Sequence, residues 1–255
     1  MKQTLIKLRD AAISTFYPTP CRVCGAMIDG WEYGVACGGC WRKIDPLGTS
    51  EELCAKCGRP FNNLTSHRPG EQQAGRHCGR CEHLAFNYAR ACGPYEGALR
   101  ESVLWLKDHP QLSPRLGRWL ISTFTGAPDL AETDSIIPVP LHPSRLAERT
   151  FNQSELIARE LSSATGLRVD TASLVRSKKT ERHRLGLGAR ERARSLDRAF
   201  QVRAPRLIEG RALLVVDDVM TTGSTVHEIA RTLFSGGARA VRVLTLARAV
   251  NELSL

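Results

Sequence analysis

Beyond residue 90 the chain alternates between two hydrophobic periods. In ACGPYEGALRESVLWLKDH, Leu99, Val103, Leu104 and Leu106 recur at helical spacing, which predicts a helix packed on one face. Residues 135–139 read as a short buried strand, kept short by Pro138, Pro140 and Pro143. Leu156, Ile157 and Leu161 return to the helical period over residues 153–161. Between that strand and that helix, HPSRLAERTFNQ reads as a loop. Residues 207–216 bring a second strand, whose ALLVV has the continuous hydrophobicity of a strand buried on both faces. Val226, Ile229, Ala230 and Leu233 then mark a helix over residues 225–234, SGGAR ends it, and AVRVLTLA is another buried strand. Strand, helix, strand at this spacing is a βαβ unit with a right-handed crossover. The predicted fold is α/β, a mostly parallel sheet.

The cysteines divide the chain. All nine lie before residue 93, and eight form CxxC pairs: Cys21/Cys24, Cys37/Cys40, Cys54/Cys57 and Cys78/Cys81. Two such loops bring four thiolates to one tetrahedral metal, so the set suffices for two structural zinc ions. Glycines after Cys24 and Cys57 help a knuckle bring its amides close to the sulfurs. A disulfide framework, redox thiols and an iron–sulfur cluster are the alternatives, and sequential or interleaved pairing stays open. His67, His77 and His83 could each replace a thiol, and Cys92 reads as a buried thiol. With few large apolar residues, such a head draws folding energy from zinc, as a structural element or docking surface. The expected domains are 1–90, an amphipathic segment plus a cysteine-rich double-zinc-ribbon-like head, and 91–255, the α/β body.

Charge is as uneven as cysteine. The formal net charge is +10, and residues 176–198 alone hold nine Arg or Lys against three acids. That segment, with Arg176, Lys178, Lys179, Arg182 and Arg184, reads as a lid over an anionic ligand, a nucleic-acid groove or a solvated surface. Trp105 and Trp119 read as packing residues before a base-stacking platform. No run approaches the roughly 18 apolar residues of a membrane span. MKQTLIKLRDAAISTF lacks the apolar core and cleavage site of a signal peptide, which points to the cytoplasm. A helix lying on a membrane surface is its other reading.

The densest chemistry is LLVVDDVMTTGST, residues 213–225. In a parallel sheet the site lies beyond the carboxyl ends of the strands, where Asp217 and Asp218 are expected as the strand stops. Amides at the following helix start favour an anion, and Thr221, Thr222, Ser224 and Thr225 add hydroxyl donors. Gly223 allows close approach or a positive φ. Carboxylates repel phosphate, so their targets are sugar hydroxyls or hydrated Mg²⁺. A phosphorylated ribose satisfies both halves. Neither GxxxxGK[ST] nor GxGxxG is present, and an N-cap explains only one of the two aspartates.

At these residues the chain resembles the phosphoribosyltransferases, whose signature for 5-phosphoribosyl-1-pyrophosphate (PRPP) is an apolar run, two acids and a T-T-G-x-[ST] loop. More narrowly it resembles the ComF family, through the CxxC head, PYEGALRESVLWLK, PVPLHPSRLAERTFNQSELIAREL and the aspartate motif. The resemblance implies a type I phosphoribosyltransferase-like, mostly parallel sheet with helices on both faces, preceded by a small zinc-binding domain. It implies that Asp217 and Asp218 hold the ribose hydroxyls, that Thr221, Thr222, Gly223, Ser224 and Thr225 hold the 5′-phosphate, and that Arg145, Arg149, Asn152 and Gln153 face the pyrophosphate. Mg²⁺ would enter with PRPP. Where the family shows RGFNQ this chain reads RTFNQ, with Thr150 at the glycine. His183, His227 and His142 offer no assigned catalytic role, and no nucleophile or general base stands out.

Three functions follow from this resemblance. The first is a protein that binds PRPP or a ribose 5-phosphate group and acts in DNA uptake through single-stranded DNA. The second is an active phosphoribosyltransferase with an unknown acceptor. The third is a scaffold whose zinc head docks a helicase or membrane channel at the inner face of the membrane.

Overall fold

The computed structural model describes residues 19–44, 53–61, 77–178, 196 and 198–250. The amphipathic N-terminal segment, His67, Lys179, Arg182, His183 and Arg184 lie outside the described residues. After a 3₁₀ turn (Trp31–Tyr33), the elements are α1 (Gly38–Arg42), β1 (Tyr88–Pro94), α2 (Gly97–Leu106), α3 (Pro114–Thr125), α4 (Pro128–Ala131), β2 (Ser135–Pro138) and α5 (Pro143–Arg149). They continue with α6 (Gln153–Thr165), β3 (Arg168–Val169), β4 (Leu174–Arg176), β5 (Phe200–Val202), a 3₁₀ turn (Pro205–Leu207), β6 (Ala212–Met220), α7 (Ser224–Ser235) and β7 (Ala240–Arg248). Among the described residues, no helix is long and apolar enough to cross a membrane.

Five strands form one parallel sheet in the order β1-β7-β6-β2-β3, and β4 and β5 pair antiparallel apart from it. The predicted βαβ unit is β6, α7 and β7, in register from Ala212 opposite Ala240 to Met220 opposite Arg248. The continuous apolar run of β6 reflects two cores. Leu214 and Val216 face one with Leu99, Val103, Leu120, Ile157 and Leu161, whereas Leu213 and Val215 face the other with Val226, Ile229 and Leu233. Each of these residues contributes about 1.5–3 kcal/mol on full burial.

Among the described residues, the cysteine-rich region has no core apart from these two. Cys21, Cys40, Trp41 and Ile44 join the core under α2 and α3, while Cys54, Cys57, Cys81, Leu84 and Phe86 join the core under α7. Strand β1, which follows the last CxxC pair, lies at the edge of the body sheet and pairs with β7 from Tyr88 opposite Arg242 to Pro94 opposite Arg248.

Two local expectations need correcting. HPSRLAERTFNQ is not all loop, because α5 forms within it. Pro143 sits in its first turn, His142 Nδ1 accepts from the Ser144 N–H (3.3 Å), and Thr150 closes the end in a left-handed conformation at φ 66°. Thr150, where the ComF family shows glycine, therefore makes the turn itself. The second strand also starts later and runs further than expected. Leu207 belongs to a 3₁₀ turn, and β6 passes through both aspartates, because β7 continues to pair with it, Asp217 opposite Thr245 and Val219 opposite Ala247.

Candidate functional site

The four CxxC pairs associate sequentially. Cys21, Cys24, Cys37 and Cys40 form one group and Cys54, Cys57, Cys78 and Cys81 another, each with its sulfurs within 4.8 Å of one another. Contacts of 3.8 Å (Cys21–Cys40) and 3.7 Å (Cys24–Cys37) in the first group compare with 3.6 Å for Cys54–Cys81 and Cys57–Cys78 in the second. A tetrahedron with Zn–S near 2.3 Å has edges of about 3.8 Å, so both groups fit zinc. All nine cysteines are free, which leaves no disulfide framework among them. The knuckles close as their glycines allow: Gly25 (φ 76°) and Gly58 (φ 63°) donate N–H to the carbonyls of Cys21 and Cys54. Burial and then neighbouring thiols push Cys40 up to about 12 and Cys81 up to about 11. Four such thiols ionise together only when a cation takes the place of their protons. His77 and His83 belong to neither group. Cys92 is buried in β1, as expected of a structural thiol.

The aspartate pair lies where the alternation of β6 slips. Val216 and Val219 pack toward the α2/α3 core and Met220 toward the α7 core, so the two-residue period is interrupted across Asp217 and Asp218. Asp217 Oδ1 accepts from Ser154 Oγ in α6 (2.9 Å) and from the Asp218 N–H (2.9 Å). Both carboxylates keep partial solvent access, yet burial is the largest influence on each. Burial, followed by the charge of Asp218, pushes Asp217 up to about 7, against the Ser154 hydrogen bond and the Arg176 guanidinium. Burial raises Asp218 as well, opposed by Lys107 and Arg149. Three cations from three elements thus bear on one acidic pair: Lys107 caps α2, Arg149 ends α5 and Arg176 ends β4.

Beside the pair, residues 221–223 turn the chain from β6 into α7. Gly223 stands at the N-cap with φ 84°. Thr222 Oγ1 lies 2.8 Å from Ser224 Oγ and accepts from the Ser224 N–H (3.3 Å), which fixes the turn. On the other flank, Asn152 caps α6 by accepting from the Ser154 N–H (3.1 Å) and donates to the Val139 carbonyl (3.0 Å). Gln153 is buried and donates to the Lys107 carbonyl (3.2 Å). Asn152 thus ties the start of α6 to the chain after β2, and Gln153 ties it to the end of α2, which carries Lys107. Arg145 lies close enough to Arg176 to lower the latter's pKa, after burial.

Sequence reasoning did not single out Lys107 or Ser154. Lys107 closes the motif PYEGALRESVLWLK and Ser154 follows FNQ directly, so adjacency to those motifs was the available signal. Trp119 meets Trp41 edge to face (5.8 Å, 73°), and Trp105 stacks on His109 (3.4 Å) with Arg22 over its ring (4.5 Å). Both tryptophans are packed against protein.

A double zinc ribbon domain model matches residues 12–92, and a phosphoribosyl transferase domain model matches residues 153–253. The DNA utilization protein YhgH of Escherichia coli K12 is 35% identical over 207 residues, covering 78% of this chain and 86% of that protein. Competence protein F of Haemophilus influenzae is 30% identical over 221 residues, with 84% and 90% covered. Competence protein ComFC of Bacillus subtilis is 26% identical over 234 residues, with 82% and 89% covered.

Proposed function

The chain belongs to the family of competence protein F, ComFC and YhgH, a phosphoribosyltransferase-like sheet with an N-terminal double zinc ribbon, and from that premise we propose that it binds PRPP or another ribose 5-phosphate group while handling single-stranded DNA. One observation carries the ligand. Two partly desolvated carboxylates stand between three cations and a hydroxyl-rich turn at a helix start. Asp217 and Asp218 accept from the ribose hydroxyls, which bond most strongly to ionised oxygens. Thr221, Thr222, Gly223, Ser224 and Thr225 supply amide and hydroxyl donors to the 5′-phosphate. Arg145, Arg149, Asn152 and Gln153 face the pyrophosphate, with Lys107, held through its carbonyl by Gln153, beside them. Mg²⁺ entering with PRPP would neutralise the diphosphate charge that these cations only partly offset.

The names of the relatives, a DNA utilization protein and two competence proteins, support the DNA half of the reading. Lys178, Lys179, Arg182 and Arg184 would track the phosphate backbone, with affinity falling steeply with salt, while Arg176 stays beside Asp217. Asp217, driven to about 7, also lies where a general base works best. That favours a second reading, in which PRPP gives up pyrophosphate to an acceptor. Calorimetric titration with PRPP and Mg²⁺, and separately with a single-stranded oligonucleotide, tests the proposal. Asp217→Ala and Asp218→Ala are expected to abolish PRPP binding and leave the oligonucleotide isotherm unchanged, whereas charge reversal at Lys178, Lys179 and Arg182 does the opposite. Failure of the unaltered chain to bind PRPP sinks the ligand assignment, and pyrophosphate release with any base or amine establishes the transferase.

A further inference from the structure

Residues 82–85 leave the last ligand of the second cysteine cluster and run across the first turn of α7. The Leu84 N–H donates to the Cys81 carbonyl (3.0 Å). From between Cys54 and Cys57 on the opposite knuckle, Lys56 Nζ donates to the Leu84 carbonyl (2.7 Å). Both halves of the cluster therefore hold the same short strap. At its far end the Ala85 N–H donates to Nδ1 of His227 (3.0 Å), which leaves the ring proton of His227 on Nε2. His83 meets the same ring edge to face (6.2 Å).

The strap also touches the turn beside the aspartates. A Cβ at Gly223 would lie 3.0 Å from Leu84 Cδ1, so the strap packs directly on the turn, whose φ of 84° favours glycine. The His227 N–H donates to the Gly223 carbonyl (2.8 Å), the first helical bond of α7. One residue thus joins the turn through its backbone and the cysteine cluster through its side chain.

We propose that His227 is a positioning residue, by which the metal-ordered second ribbon sets the conformation of the turn that receives the phosphate. The inference rests on the phosphoribosyl reading of the site. It gives the second cluster a ligand-binding role and removes His227 from the bystanders. The residues of the cluster fit zinc, and the strap makes their order felt two bonds away, at the backbone of Gly223. The first cluster packs under α2 and α3 and takes no part in this path.

Calorimetry of the full, zinc-loaded chain with PRPP and Mg²⁺, and with inorganic phosphate, separates the possibilities. His227→Leu keeps bulk and removes the acceptor, so affinity for both probes falls about fivefold while zinc content is unchanged. In His227→Asn, Oδ1 can accept the Ala85 N–H, and affinity returns to within about twofold of the unaltered chain. Lys56→Met, away from the turn, is the second variant and speeds hydrogen exchange across residues 222–226. An unchanged affinity in His227→Leu, an Asn variant as weak as the Leu variant, or unchanged exchange in Lys56→Met overturns the inference and leaves the phosphoribosyl reading standing. No binding of either probe by the unaltered chain overturns both.

Discussion

At the first cysteine cluster the Cys24 side chain lies open to solvent, and backbone N–H groups of Val23 and Cys37 point at Cys21 Sγ (3.4 and 3.3 Å). At the second, Cys54 and Cys57 are buried, and the Arg248 guanidinium donates to Cys57 Sγ (3.6 Å). Burial lowers the pKa of Arg248 and of Arg90, and the charges of Cys54 and Cys57 oppose that lowering in both. Zinc with four thiolates carries a net charge of about −2. Among the described residues, a guanidinium meets that charge by hydrogen bond only at the second cluster. Two identical ligand sets therefore sit in different electrostatic settings, one with Cys24 open to water and one buried against a guanidinium. The ligand set fixes which metal binds; the surroundings fix what its loss does to the rest of the molecule.

Removing a ligand from each cluster is the severest way to break this contrast. Cys54→Ser is expected to halve the zinc content and lower the melting temperature by about 10 °C or more, because the core under α7 loses its second ribbon. Cys24→Ser is expected to halve the zinc content with a drop of only about 2–4 °C. Metal analysis with differential scanning calorimetry reads both. Equal drops would mean that the surroundings of the two sites do not matter.

Arg248→Met isolates the charge. Its Nε is buried without a partner, so an apolar chain of similar length loses little there. What goes is a charge-assisted bond to sulfur, worth about 1.5–3 kcal/mol. Competition with a colorimetric chelator should show one of the two zinc ions lost roughly tenfold more readily, and the other unchanged. Two ions released together would tie the ribbons into one unit.

The same contrast explains what could be read from the sequence. CxxC spacing names a ligand set because chelate geometry is local, so both clusters were legible from eight positions. Their pairing, and the cations around the second, come from residues as distant as Cys57 and Arg248, which no local pattern connects. The βαβ unit was legible from period, since β6 buries both faces. Its carboxyl end was not, because pairing with β7 carries the strand through two residues of low strand propensity. Asp217, Asp218 and the following turn were found as a motif. Lys107, Ser154 and Arg176 reach them from other elements, and Asn152 and Gln153 brace the two that carry Ser154 and Lys107. The α5 helix was missed because its seven residues carry only two apolar side chains, Leu146 and Ala147, too few to show a helical period, although Pro143 suits a first helical turn.

Proton linkage sharpens the contrast with a smaller effect. Folding raises Asp217 from the usual carboxylate range to about 7, so the folded chain holds a proton that the unfolded chain has released. This group therefore costs stability as pH climbs from about 4 to about 7. On the proposed reading, in which ribose hydroxyls donate to Asp217 and bond more strongly to its ionised form, PRPP affinity should fall by up to about tenfold from pH 8 to pH 6. Calorimetry across that range in Cys24→Ser should reproduce the profile of the unaltered chain. A destabilised second ribbon, as in Arg248→Met, should weaken binding at every pH without moving the midpoint. A shifted midpoint in Cys24→Ser would connect the first ribbon to the aspartates and erase the division of labour.

The smallest effect tests what fastens the first ribbon to the body. Its only ion pair to α3 among the described residues joins Glu32 to Arg118 at 2.7 Å, with side chains 40% and 60% exposed. Water screens such a pair, and holding two long side chains costs entropy, so its worth is about 0–1 kcal/mol. Trp41, by contrast, is 1% exposed, meets Trp119 edge to face and donates its indole N–H to the Tyr33 carbonyl (2.9 Å). Its large buried area and satisfied donor make it the stronger fastening. Glu32→Ala should therefore move the melting temperature by no more than about 2–4 °C and leave zinc content intact, whereas Trp41→Ala should cost about 3–5 kcal/mol. A larger effect from Glu32 than from Trp41 would mean that surface charge holds the first ribbon in place, and not the core it shares with α2 and α3.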